Sequence, residues 1–328
     1  MPAEWEPHEM TLLAWPQRLE AWRGTDIEEA RRSHAEVVDA IAQFEPVCLV
    51  VDPDQEQQAR RQVTAERVEV LPLPIDDSWL RDSGPIFVAD GEGGRAGVDF
   101  RFNAWGEAFT PYDRDAAVSA GILDHLGIER IESTMILEGG SITVDGNGLL
   151  ATTRQCLLDP SRNPGMDRAE IEQELRRRLG AETVIWLGNG LVEDADTDGH
   201  VDNVAAFIGQ GRVLIQAFPD VADPNHEAME KNRAALASAG VTVEEMNLMS
   251  RIERADGDPV AVPYMNFYFV NGGVIVPVGG VDPEMDREAL QELSGLLPDR
   301  EVVGIDGRVL ALGGGGIHCI TQQVPAVG

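Results

Sequence analysis

The chain has 328 residues, 43% of them hydrophobic, which is enough apolar material for a sizeable core in one large domain or two ordinary ones. Its 57 acidic side chains against 26 basic ones leave a formal charge of −31 and an isoelectric point near 4.4, a field that repels nucleic-acid phosphates and anionic membrane surfaces. Three widely spaced cysteines without CxxC spacing exclude a disulfide scaffold or zinc ribbon, and no apolar run approaches the roughly 18 residues of a membrane helix. A cytoplasmic protein with neither a nucleic-acid nor a membrane partner is the expectation.

Strand and helix patterns alternate along the chain without a linker or a sharp change in composition, so a single α/β domain spanning 1–328 is expected. Ala30 to Phe44 has helical apolar spacing and leads into the buried-strand pattern Val47 to Val51, where Cys48 reads as a core thiol. Asp76-Asp77-Ser78-Trp79-Leu80-Arg81-Asp82-Ser83-Gly84-Pro85 then crowds four charges around a tryptophan beside a turn. Such a stretch is either an exposed loop or a cation site, with Asp82 the preferred ligand and Arg81 holding neighbouring carboxylates. Asp115 to Leu126 reads as a helix. Leu137-Glu138-Gly139-Gly140-Ser141 places Glu138 at the end of an apolar strand, where it is an exposed turn residue or a carboxylate that orients an imidazole or meets substrate.

Cys156, in Thr153-Arg154-Gln155-Cys156-Leu157, lacks a glycine approach and reads as the less active thiol. Met166 to Leu179 has a helical pattern and Val184 to Leu187 that of a buried strand. Glu193, Asp194, Asp196 and Asp198 then make an acidic loop, solvated or able to receive a cationic group. In Gly199-His200-Val201-Asp202-Asn203, strand parity would turn His200 and Asp202 to one side and Asn203 to the other. The pair suits proton transfer and cation binding, or a structural hydrogen bond, while the lack of a second histidine or regular ligand spacing speaks against a metal. Val213 to Ala217 and Val274 to Val278 read as further buried strands. Near the end, Gly313-Gly314-Gly315-Gly316-Ile317-His318-Cys319 brings a thiol up on bare backbone. With Ile317 to Gln322 read as a strand, His318 and Cys319 diverge, and the thiol's acid/base partner must come from elsewhere.

Polar or glycine-bearing motifs recur at Asp82, Glu138, His200, Asn266 and Cys319, separated by 56, 62, 66 and 53 residues. A period of about 60 residues implies five structural units, and a radial arrangement would bring the motifs to one central site.

With these residues in hand, the sequence resembles the agmatine deiminase and bacterial peptidyl-arginine deiminase family of the guanidine-modifying, or pentein, superfamily. The resemblance runs nearly end to end, through Met1-Pro2-Ala3-Glu4-Trp5-Glu6-Pro7-His8, Trp79 to Pro85, Asn103-Ala104-Trp105-Gly106, Glu138 to Ser141, Thr197 to Asn203 and Gly313 to Gln323. It implies a five-bladed β/α propeller of pseudo-fivefold symmetry. It further implies Cys319 as nucleophile, His200 as acid/base, Glu138 as the group orienting His200, and Asp82 and Asp202 as guanidinium ligands. A small cationic guanidine is the implied substrate, with no metal or organic cofactor, and agmatine is favoured over peptidyl-arginine and free arginine. Trp79 and Asp196 are candidates for the distal amine of agmatine. Arg101 or Arg23 would have to meet the carboxylate of free arginine. Two departures bear on substrate: Gly316 stands where agmatine deiminases often carry asparagine, and Ser83 replaces a common threonine. The chain is also slightly short around Gly279 to Asp286. Amidino transfer, a silent guanidine-binding module and a thiol peptidase are the rival readings. A homo-oligomer is allowed, although no interface signal in the sequence supports it.

Overall fold

The structure is a computed structural model that describes residues 1–22, 25–89, 91, 93–194, 196–254 and 257–327. Strand β1 (His8–Ala14) is followed by helix Ile27–Ile41, which returns the chain so that β2 (Val47–Val51) lies parallel to it; β3 (Val68–Pro72) extends the sheet, again parallel. The next segments repeat one scheme. β4 (Ile86–Ala89) and β5 (Arg95–Arg101) form an antiparallel pair, helix Asp115–Leu126 crosses over, and β6 (Glu129–Ile136) adds parallel to β5. β7 (Ile142–Val144), β8 (Leu149–Thr153), helix Arg168–Leu179 and β9 (Thr183–Leu187) do the same. So do β10 (Ala205–Gly209), β11 (Arg212–Gln216), helix His226–Ser238 and β12 (Thr242–Met246). After a hairpin of β13 (Ser250–Glu253) and β14 (Pro259–Val262), the scheme recurs in β15 (Tyr268–Val270), β16 (Gly273–Val278), helix Pro283–Leu296 and β17 (Glu301–Asp306). Finally β18 (Thr321–Pro325) pairs antiparallel with β1, so the two ends of the chain complete the first sheet.

The scheme follows from local chemistry. A parallel pair needs a crossover, and a helix with one apolar face supplies it while covering the strands. Val47-Cys48-Leu49-Val50-Val51 is buried along its whole length, and Val37, Val38 and Ile41 of the preceding helix are fully buried as well. Helix ends are marked in the sequence. The Asp26 side chain accepts the Glu28 backbone N–H, and Asp167 and Glu170 form a reciprocal capping box. Gly127 and Gly180 end their helices at φ 64° and 71°, where a Cβ would be strained.

The α/β expectation holds, and the five recurrent motifs mark the repeat. Asp82 lies just ahead of β4, Glu138 ahead of β7, His200 ahead of β10, Asn266 ahead of β15 and Cys319 ahead of β18. Each candidate side chain is therefore delivered by the turn that enters an edge strand of a sheet. Two local expectations are corrected. Ile317 to Gln322 is not one strand, because His318–Ile320 is a 3-10 turn and β18 starts at Thr321. His200 and Asp202 are not strand neighbours either, since Val201–Asn203 is a 3-10 turn with His200 at its N-cap. In both places glycine-rich chain precedes a tight turn, and strand parity does not apply. Among the described residues no helix is long and apolar enough to cross a membrane.

Candidate active site

Helix Arg308–Gly313 ends at Gly314, in the left-handed region at φ 104°, and the chain runs on through Gly315 and Gly316 into the turn that carries Cys319. The thiol is 5% exposed and faces a recess of about 340 Å³, mouth included, that is also lined by Trp79, Asp82, Trp105, Phe109 and Asp196. Close approach explains two of the glycines. A Cβ on Gly315 would lie 2.4 Å from the Trp79 ring, and one on Gly316 would lie 2.3 Å from Asn266 Oδ1. The Trp79 ring is fixed by stacking on Trp22 at 5.5 Å and by donating from Nε1 to Asp77 at 3.1 Å.

Asp82 sits in the buried short helix Leu80–Ser83, so the charged stretch around Trp79 is not an exposed loop. Its carboxylate accepts the Gly140 backbone N–H and Trp105 Nε1, each at 2.9 Å. Trp105 reaches it from a turn with left-handed backbone at Ala104, Trp105 and Gly106, braced by Asn103, which accepts the Gly106 N–H. Asp202 comes from the 3-10 turn ahead of β10, and its Oδ2 lies 3.5 Å from Cys319 Sγ. His200 stands between the two aspartates: a Cβ on Gly140 would meet His200 Nδ1 at 2.6 Å and Asp202 Oδ2 and Asp82 Oδ1 at 2.9 Å. Only glycine fits there. The His200 ring is 3.9 Å from Asp82 and makes no hydrogen bond to Sγ, and its Nε2 is buried without a partner.

Behind His200, Glu138 is fully buried and bonded at 2.8 Å to Arg162 Nε, whose other nitrogens reach Asp198 and the Thr197 carbonyl. Arg162 thus ties the strand-end carboxylate to the loop that carries His200. Glu138 Oε2 has no partner, and its donor atoms cluster with those of His200 and Cys156 within 4.8 Å of one another. Cys156 is therefore at the back of the site rather than remote from it, although burial and Glu138 push its thiol well up.

Burial, followed by Asp202 and Asp82, pushes the Cys319 thiol well above its ordinary range, against the pull of the Gly316 backbone and the Asn266 amide. Burial opposes a charged His200, but Asp82, Asp202, Glu138 and Asp194 outweigh it and raise the imidazole. Burial, with Asp202 and Glu138, also raises Asp82 in spite of His200. Asp202 is held low despite its burial, chiefly by its hydrogen bond to His318 and the charge of that ring. Two carboxylates beside the thiol thus oppose its ionisation.

His318 turns away from the recess. Nδ1 is 2.9 Å from Asp202 and Nε2 is 2.9 Å from Glu4, so both nitrogens face carboxylates and both must carry protons. Arg81 completes this side, bonding Glu4 at 3.2 Å and Gln323 at 2.9 Å, in keeping with its expected role of holding carboxylates. The expectation that His318 is not the thiol's base stands on these contacts, not on strand alternation.

Nearly the whole chain matches a family model. Residues 1–325 fit the Porphyromonas-type peptidyl-arginine deiminase family. The chain belongs to this family. It is 41% identical to an agmatine deiminase of Pseudomonas aeruginosa, over 99% of this chain and 95% of that protein. It is 39% identical to a putative agmatine deiminase of Legionella pneumophila, over 99% and 94%. Among solved structures it superposes on the agmatine deiminase of Enterococcus faecalis with a TM-score of 0.93 at 36% identity, covering 99% of this chain and 95% of that one.

Within this family member the recess gathers Cys319, Asp82, Trp79 and Asp196, with Asp202 in contact with Sγ, while His200 and Glu138 stand behind Asp82. Arg101 is exposed at the end of β5 and does not line the recess, and Arg23 lies outside the described residues. Sequence reasoning missed Arg162, Glu4, Trp105 and Phe109 as parts of the site. Arg162 carries no local motif of its own. Trp105, however, lies in Asn103-Ala104-Trp105-Gly106, whose crowded turn chemistry was a usable signal.

Proposed function

We propose that this protein hydrolyses agmatine to N-carbamoylputrescine and ammonia through a covalent amidino adduct on Cys319. The observation that carries the reading is a buried thiol 3.5 Å from Asp202, in a recess shared with Asp82, within a chain 41% identical to an agmatine deiminase over nearly its full length. Paired carboxylates suit the planar cation of a guanidinium, and aromatic walls suit the tail that follows it. The five sheets of three or four strands are blades of one β/α propeller and one catalytic domain, which accounts for the meeting of five sequence-remote motifs.

The cation entering between Asp82 and Asp202 offsets the charge that keeps Cys319 protonated, so substrate promotes its own nucleophile. The thiol's proton passes to solvent, and the thiolate adds to the guanidinium carbon to give a tetrahedral adduct. His200, kept in its protonated form by the carboxylates around it, gives a proton to the departing nitrogen as the C–N bond breaks and ammonia leaves. Water then attacks the amidino carbon and loses its proton to His200. Collapse of that adduct breaks the C–S bond, returns the thiolate and releases the ureido product as the hydroxyl proton of the adduct passes to solvent. Glu138, anchored by Arg162, holds the position of His200. Trp79 and Asp196 receive the distal amine.

Ammonia release should be measured with agmatine, free arginine and an arginine peptide, together with product mass. Turnover of agmatine to a ureido product is expected. Turnover of another guanidine without agmatine would replace the substrate. A product that incorporates an added amine would replace hydrolysis with amidino transfer, and guanidine binding without any turnover would leave a silent module.

A further inference from the structure

Asn266 was legible only as one of five recurrent motifs, without a role of its own. It is fully buried ahead of β15, and its hydrogen bonds fix which way its amide points. The chain of bonds starts at Asp194, whose carboxylate can only accept, so Asn203 must present Nδ2 to it at 3.1 Å. Asn203 Oδ1 is then the acceptor for Asn266 Nδ2, at 3.0 Å. On the other side, the His318 backbone N–H can only donate, and it meets Asn266 Oδ1 at 2.9 Å. Both contacts agree. Cys319 Sγ lies 3.3 Å from Asn266 Nδ2 and 3.5 Å from Oδ1, so an edge of the amide faces the sulfur: Oδ1 can only accept from the S–H form, whereas Nδ2, with one N–H to spare after the bond to Asn203, can donate to the thiolate.

We propose that Asn266 is a catalytic residue that donates a hydrogen bond to the thiolate of Cys319. The need for such a donor follows from the surroundings. The ionisable neighbours of Sγ, Asp202 and Asp82, favour the thiol, and His200 makes no bond to it. A neutral donor such as an amide favours the thiolate without repelling a cationic substrate. When the thiolate attacks, and again when it leaves the amidino adduct, the same N–H receives the growing negative charge on sulfur. Gly316 is part of the arrangement. Its missing Cβ is what lets Asn266 approach, since that atom would lie 2.3 Å from Oδ1 and 3.1 Å from Cβ of the amide. The glycine in place of the asparagine common at this position thus has a local use: it clears the path of a different asparagine.

The proposal rests on Cys319 being the nucleophile, and the test separates the two ideas. The rate of iodoacetamide alkylation as a function of pH reports the thiolate without any substrate, with Cys319→Ser as the unlabelled control. Asn266→Ala should move the alkylation midpoint upward by about one pH unit and lower kcat about tenfold or more, with KM little changed. Asn266→Asp, which puts an acceptor against sulfur, should move it further. Because Asn266 also holds the His318 backbone, Gly316→Ala provides a second route: it keeps the amide's chemistry and pushes it away from Sγ. An upward shift in both Asn266→Ala and Gly316→Ala supports the assignment. A folded Asn266→Ala or Gly316→Ala protein whose midpoint stays within about 0.3 pH unit of the parent overturns it. If Cys319→Ser is alkylated like the parent or keeps its turnover, the nucleophile assignment fails instead.

Discussion

The surroundings of the two histidines near the thiol differ in how completely they are satisfied. Around His200, Nε2 of the ring and Oε2 of Glu138 are buried without partners, and Asp202 keeps one free oxygen, Oδ1. Around His318, both ring nitrogens are bonded to carboxylates and Arg81 braces Glu4 and Gln323. A buried polar atom without a partner costs free energy, so a fold retains it where something else supplies the partner. On the proposed mechanism, the difference separates groups that would meet substrate or reacting water from those that would hold them in place. It predicts that damage on the His200 side stops chemistry, whereas damage on the His318 side weakens binding and stability.

The largest effect is expected at the thiol itself. Cys319→Ser should lower turnover by roughly ten-thousandfold or more and abolish the amidino adduct seen by intact mass, because a serine hydroxyl beneath two carboxylates has no route to ionise. Retained turnover would end the covalent scheme. Next come the imidazoles, compared directly. His200→Asn should cost roughly a thousandfold in kcat, in the range of a lost general acid/base, whereas His318→Asn should cost about tenfold and mainly in KM. Equal losses in kcat would dissolve the comparison between the two sides.

How much of this could be read from the sequence follows the same division. Cys319, His200, Glu138, Asp82 and Asp202 each sit in a short motif with glycine or turn residues that local chemistry singles out, and the common spacing of Asp82, Glu138, His200, Asn266 and Cys319 anticipated the five similar sheets. The helices and buried strands were legible because apolar periodicity is a local property. The scaffold side was not. Glu4 reaches His318 across 314 residues and Arg162 reaches Glu138 across 24, contacts that exist only once the sheets have assembled. The turns at His200 and Cys319 were misread as strands because glycine-rich approaches permit either conformation, and the tertiary fit decides between them.

A third test acts on the His200 side without touching the imidazole. Asp82 accepts bonds from Trp105 and Gly140 and contributes to holding the Cys319 thiol protonated. Asp82→Asn should therefore act in two opposite directions. Agmatine kcat/KM should fall roughly a hundredfold as one guanidinium carboxylate is lost, while alkylation of Cys319 near pH 8 should speed up severalfold as an anion is removed from beside it. A variant in which both rates fall would mean that Asp82 supports the thiolate, and the idea that substrate promotes its own nucleophile would have to be given up.

The smallest effect is expected at Glu4, and its pH dependence identifies the cause. The carboxylate is held down to about 2 from 4.5: burial works against its charge, and His318 and Arg81 overcome that burial. A depressed folded-state value means that this contribution to stability is fully present above pH 4.5 and is lost as the pH falls toward 2. His318 is shifted the other way, with burial and Arg81 opposed by Glu4 and Asp202, so its share is present below about 6.5 and is lost as the pH rises through the raised folded value. Glu4→Gln keeps the shape of the contact and removes its charge. The stability gap between parent and variant, measured by denaturant titration, should be widest between about pH 4.5 and 6.5, on the order of 3 kcal/mol at most, and should narrow toward both ends. Because Glu4 touches none of the residues that line the recess and acts on them through His318 and Arg81, kcat should stay within about threefold of the parent. A gap that does not change with pH would mean that Glu4 acts through packing alone, and the side beneath Asp202 would then owe its rigidity to shape rather than to charge.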